Sequence, residues 1–145
     1  MARLPRYVLP PSGVYHVTSR GVARWSIAAD DFDRRRWRGL LRSAIRAQRW
    51  ECLAWCLMPN HFHLVLVAEL ERLSRGMHFL NFRYASAYNS RHDRVGHLFQ
   101  DRFFAEVVED DEHLAAVCDY VLDNPVRARL CAERSSWRWS GGLYA

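Results

Sequence analysis

From Val14 to Leu122 the chain switches several times between a two-residue hydrophobic period and a three-to-four-residue one. Val14-Tyr15-His16-Val17-Thr18-Ser19 alternates and is rich in β-branched and aromatic residues, which predicts a strand after the turn signal Pro10-Pro11-Ser12-Gly13. Asp30 and Asp31 then stand where a helix N-cap belongs, and Phe32, Trp37, Leu40, Leu41, Ala44 and Ile45 make one apolar stripe through about Gln48. Glu51 to Leu57 predicts a second strand, and Met58-Pro59-Asn60 turns it into the apolar run that starts at His61, so the pair reads as a hairpin. Leu73, Met77, Leu80, Tyr84 and Tyr88 recur on one side of a second helix, from about Leu70 to His92. Phe103 to Val108 predicts a fourth strand, Asp110 or Asp111 caps a third helix to about Leu122, and Asn124-Pro125 stops it. The order β-α-β-β-α-β-α fits an α+β fold: a ferredoxin-like split β-α-β sandwich, its antiparallel sheet carrying helices on one face. The other face is then open to single-stranded nucleic acid.

No linker, repeat or low-complexity stretch interrupts the 145 residues, so the expectation is a single domain over 1–145. No apolar run approaches the roughly 20 residues that cross a bilayer. The start, Met1-Ala2-Arg3-Leu4-Pro5-Arg6, lacks an apolar signal core, which points to a cytoplasmic protein without membrane attachment. Cys52, Cys56, Cys118 and Cys131 form no Cys-x-x-Cys pair and read as reduced, packed thiols. The net charge is +5, and all 21 basic residues are arginine. Guanidinium forks bind phosphate bidentately and stack on bases, so this balance favours a nucleic-acid partner, although a GC-rich genome also replaces Lys by Arg.

Met58-Pro59-Asn60-His61-Phe62-His63 carries the chemistry. Side chains two apart on a strand share a face, so His61 and His63 project together and can hold one divalent ion, while Phe62 points into the opposite layer. On the second helix Tyr84 and Tyr88 are one turn apart and share a face. Tyrosine is a competent nucleophile toward phosphorus, but aromatic residues at this spacing more often pack in a core.

Five ordered blocks resemble one family. They are Tyr15-His16-Val17-Thr18-Ser19-Arg20-Gly21, the His61/His63 segment, Tyr84 to Asn89, Gly96-His97-Leu98-Phe99-Gln100-Asp101-Arg102-Phe103, and Tyr120-Val121-Leu122-Asp123-Asn124-Pro125-Val126-Arg127-Ala128. They occur in the order seen in single-tyrosine HUH transposases, and the chain is most similar to the REP-associated tyrosine transposases, from Tyr15 to the Trp139-Ser140 region. The resemblance implies a metal-dependent transposase that nicks single-stranded DNA at hairpin-forming sites, keeps a 5′-phosphotyrosine intermediate and leaves a free 3′-hydroxyl. It implies His61 and His63 as metal ligands and Tyr84 as nucleophile, with Tyr88 in a packing role. In insertion-sequence relatives a glutamine one helical turn after the nucleophile completes the metal site. Here that position after Tyr84 is Tyr88, which leaves Asn89 as first candidate for the third ligand, ahead of His16 and His92. The implied metal is Mg²⁺ or Mn²⁺, since phosphoryl transfer wants an open site with oxygen ligands and water.

The arginines expected to grip hairpin DNA are Arg20, Arg24, Arg83, Arg91, Arg94 and Arg102, and the protein is expected to act as a monomer or homodimer. A competing reading is a domesticated single-stranded nucleic-acid-binding module without turnover. A hydrolase of small phosphorylated substrates ranks last, because Asp30, Asp31, Asp33, Asp110 and Asp111 lie in helix-cap regions rather than beside the histidines.

Overall fold

The computed structural model describes Leu9 and residues 11–145, so the leading segment 1–8 and Pro10 lie outside the described residues. The elements are β1 (Ser12–Arg20), α1 (Asp31–Gln48), β2 (Glu51–Leu57), β3 (His61–Glu69), α2 (Leu70–Arg91), β4 (Phe104–Val108), α3 (Asp111–Leu122), α4 (Asn124–Arg127) and β5 (Ser140–Gly141). Every pairing is antiparallel in a sheet of order β4-β1-β3-β2-β5, whose first four strands have the split β-α-β arrangement expected from the chain order. The short β5, which no hydrophobic alternation announces, extends the edge at β2.

Two of the helices, α1 and α3, start for local reasons. The Asp30 side chain accepts the Asp33 N–H to cap α1, and Asp110 caps α3 through the His113 N–H. α1 ends at Arg49, whose φ of 54° turns the chain into β2. Gly76 sits inside α2, where glycine normally weakens a helix, because a Cβ there would lie 2.2 Å from the Trp50 ring. Its absence lets α2 approach that ring.

The strand period sorts the chemistry into two layers. Phe62, Leu64 and Leu66 join Tyr15, Val17, Trp37, Leu41, Leu73, Met77, Leu80 and Tyr84 in the main core beneath α1 and α2. Val65, on the face of His61 and His63, packs with Ala54, Cys56, Met58, Cys118, Val121 and Leu122 in a smaller cluster under α3. An irregularity between Cys52 and Ala54 shifts the β2 register, which is why Cys52 faces the main core with Leu57 although Cys56 does not. The two long helices therefore share one face as expected, whereas α3 crosses the other and leaves it open only in part. Cys52, Cys56, Cys118 and Cys131 are free thiols, and burial pushes Cys52 and Cys56 up to about 12, which keeps them protonated. Among the described residues no helix is long and apolar enough to cross a membrane.

Candidate active site

His61 and His63 project from the start of β3 onto the α3 face, their ring centroids 5.0 Å apart and nearly perpendicular. The turn before them sets their orientation. Asn60 Oδ1 lies 2.7 Å from His61 Nδ1, so a proton on Nδ1 is held there and the Nε2 lone pair is directed away from the turn. His63 Nδ1 is engaged in the same way, 2.9 Å from His16 Nε2 and 3.1 Å from Thr18 Oγ1 on the neighbouring strand. These contacts follow from register: Thr18 is the cross-strand partner of His63 and Arg20 that of His61. Burial, reinforced by nearby positive groups, lowers His16 and His61 to about 4 and His63 still further. All three rings are therefore neutral at pH 7, the form that binds a metal.

Two residues, one near the end of α3 and one at the start of α4, complete the cluster. The Tyr120 ring stands edge-on to His63 at 5.9 Å and to His16 at 6.3 Å, and it is 51% exposed. Asn124 Nδ2 is 3.4 Å from His61 Nε2. A half-turn of that amide would present its oxygen to the same place. Asn124 follows Tyr120 by one helical turn because α3 breaks only at Asp123 before α4 resumes, with Pro125 in its first turn, where no N–H is required. Arg127 donates from Nη2 to the Tyr120 carbonyl at 2.6 Å and lies 4.0 Å over its ring. His16, His63, Arg20, Arg102, Glu106 and Tyr120 line a pocket of about 390 Å³.

This donor set fits a hard divalent cation. Two neutral imidazoles and an amide that meets His61 Nε2 are gathered on this face, and the exposed side leaves room for water and phosphate oxygens. Among the described residues no three His, Cys, Asp or Glu side chains group as metal ligands, so a third donor from the chain must be of another type, such as this amide. Cys56 is the cross-strand partner of His63, but its protonated, buried thiol is a poor ligand.

Several expected site residues lie elsewhere. Tyr84 is on the opposite face of the sheet, 1% exposed in the main core, with its hydroxyl donating to the Ile27 carbonyl. Burial, with the Asp33 charge adding to it, raises its hydroxyl far above the usual phenol range. It can reach neither the histidines nor a phosphate, and the expectation of a Tyr84 nucleophile is corrected on that ground. Tyr88 packs in the same core, as expected. Asn89 is not a ligand either, since it donates to the Gly96 carbonyl and accepts from Arg94, tying the loop after α2 to the helix. His92 bonds to Asp33. Of the weaker alternatives only His16 reaches the cluster, and there it supports His63.

The arginines divide as well. Arg20 and Arg102 line the pocket. Arg91 is committed to Asp30 and Asp33 and covers the Phe32 ring, so it joins α2 to α1. Arg94 holds the Gly96 and His97 carbonyls, and Arg83 extends over Phe79 on α2. Arg24 takes a φ of 59°, with its carbonyl accepting from Asn60 Nδ2. The residues missed were Tyr120, Asn124 and Arg127. One signal for them was present: Tyr120 and Asn124 have the one-turn spacing that the resemblance implies for a nucleophilic tyrosine and a glutamine ligand, with asparagine one methylene shorter.

Residues 11–124 match the model of the family described as Transposase IS200 like. No curated protein matches the chain. Among solved structures, a REP-associated tyrosine transposase bound to a REP hairpin is similar, with a TM-score of 0.77 and 20% identity over 97% of this chain and 82% of that one. A candidate transposase from Deinococcus radiodurans gives a TM-score of 0.55 and 21% identity over 86% of this chain and 97% of that one. At such identities the likeness is one of fold.

Proposed function

Because the chain belongs to the IS200-like transposase family, we propose that it nicks and rejoins single-stranded DNA through a 5′-phosphotyrosine on Tyr120, with a divalent metal held by His61, His63 and Asn124. One observation carries this reading: Tyr120 and Asn124, a helical turn apart, meet the paired histidines from across the sheet face. The structural relative bound to a REP hairpin supports a DNA hairpin with an unpaired flank as substrate.

The metal, Mg²⁺ or Mn²⁺, would neutralise charge on the scissile phosphate and polarise it. Everything else is done by the chain. Asn60, His16 and Thr18 fix the two imidazoles before DNA arrives, so little reorganisation accompanies the reaction. Arg20 and Arg102 hold phosphates at the pocket wall, and Arg127 braces the Tyr120 ring and backbone. The Tyr120 oxygen attacks phosphorus, the bond from phosphorus to the 3′-oxygen breaks, and that oxygen takes a proton from water to leave as a 3′-hydroxyl. The half-exposed Tyr120 ring gives the phenolic proton a route to water. The phosphotyrosine conserves the bond, so another 3′-hydroxyl can reverse the step and join strands.

The test is denaturing electrophoresis of the protein incubated with hairpins drawn from DNA flanking its own gene, in Mg²⁺ or Mn²⁺, with the attachment site mapped by mass spectrometry. Wild type and Tyr84→Phe should form an adduct on Tyr120, while Tyr120→Phe and chelated samples should form none. An adduct that survives in Tyr120→Phe would overturn the assignment. Failure of every hairpin and metal to give one would favour a binding module instead.

A further inference from the structure

A second cavity, a groove of about 820 Å³, runs between the outer side of α2 and the segment 96–103. On α2 it is bordered by His78 and Phe82, one turn apart, whose rings are nearly parallel at 11° with centroids 5.9 Å apart. Phe82 is 60% exposed, although the core of the same helix is well filled by Leu73, Met77 and Leu80. A concave groove edged by a stacked pair of rings is the kind of surface that ligands cover. The far wall is formed by Gln100, Asp101 and Arg102, and these residues also wall the pocket that contains His63 and Tyr120. The two cavities therefore meet along one shared rim, and Arg102 places a guanidinium on it.

We propose that this groove receives unpaired bases of the DNA strand that adjoins the cleaved phosphate, with Phe82 as their stacking platform and Arg102 gripping the backbone at the rim. The proposal rests on the single-strand transferase reading above and gives its substrate a second contact. A flat exposed ring accepts any base, whereas the bases of a duplex are already stacked on one another, so the groove discriminates unpaired DNA from paired DNA without reading sequence. The rim continuity selects this occupant, because a strand held at Tyr120 can cross Arg102 into the groove without leaving the protein surface.

The experiment measures binding of full-length protein to a labelled oligo(dT) strand and to a blunt duplex of equal length, for wild type, Phe82→Ala and Phe82→Tyr. Phe82 is exposed on a helix, and alanine preserves helicity, which circular dichroism checks. Phe82→Ala should weaken strand binding by about 5- to 150-fold, the equivalent of one stacked base, while duplex affinity stays as in wild type. Phe82→Tyr, which keeps the ring, should restore strand binding. Unchanged strand affinity in Phe82→Ala, or an equal loss for strand and duplex, would overturn the proposal. The covalent assay on wild type is separate: a Tyr120 adduct with no Phe82 effect removes the groove and leaves the transferase. A Phe82 effect specific to the strand with no adduct supports the groove and removes the transferase.

Discussion

Tyr84 and Tyr120 carry the same phenol, and their surroundings give them opposite uses. Tyr84 is enclosed by the main core and its hydroxyl satisfies the Ile27 carbonyl, a backbone acceptor in the buried segment before α1. Replacing it with Phe keeps the ring and orphans that carbonyl, so Tyr84→Phe should lose about 1–3 kcal/mol in urea unfolding while still forming the covalent adduct. Asn60 works at the same scale by another route. Its oxygen fixes His61, and its amide nitrogen holds the Arg24 carbonyl at 3.3 Å in a segment where Ala23 and Arg24 both have positive φ. Such strain persists only where neighbours enforce it. Asn60→Ala should therefore weaken Mn²⁺ binding about 10- to 100-fold by calorimetry, with His61 still present, as expected for a partner that orients a ligand.

Between elements, the end of α2 is fastened to the start of α1 by one buried carboxylate. Asp33 is 1% exposed and accepts from the Ala29 N–H at 2.9 Å, from Arg91 at 2.8 Å and from His92 at 2.8 Å. Burial alone would raise its carboxyl, but these donors outweigh that effect and hold it below the usual carboxylate value. A carboxyl depressed in the folded state contributes stability above its unfolded value, about pH 3.9, and loses it as pH falls through the folded value. Wild-type stability should therefore decline below about pH 4, and Asp33→Asn should be less stable at pH 7 with a flatter profile in that range. Denaturant midpoints at several pH values check this. Equal slopes for the two proteins would show that Asp33 does not control the junction.

For the whole molecule, the positive charge is shared between holding the fold and facing a ligand. Arg91 is bound in pairs to Asp30 and Asp33, whereas Arg20 and Arg102 line the pocket. Salt dependence of DNA binding separates the two uses, because each lost phosphate contact lowers the slope of log affinity against log salt by about 0.7 for a single strand. Arg20→Ala and Arg102→Ala should each reduce the slope by about that amount. Arg91→Ala should leave the slope unchanged and lower the denaturant midpoint, and a reduced slope for Arg91→Ala would place that residue at the DNA.

Most of the elements were legible in the sequence because hydrophobic period is a local property, and strands and helices alternate here with clear caps and turns. His61 and His63 were legible for the same reason: two residues apart on a strand share a face whatever the strand packs against. Position along a helix carries no such information about the rest of the fold. Tyr84 and Tyr120 both stand on helices with an apolar side, and only the placement of α2 and α3 on opposite faces of the sheet decides which tyrosine meets the histidines. Asn124 was hidden by its own motif, since Asn-Pro reads as a helix stop, yet the chain resumes as α4 and keeps its side chain one turn beyond Tyr120. The arginines were the least legible. A guanidinium is committed to a carboxylate or free for a phosphate according to what lies within about 3 Å of it, and those neighbours come from distant parts of the chain. Sequence alone determined the elements and one histidine pair, while the tertiary structure chose their companions, because it sets which side of the sheet each helix covers.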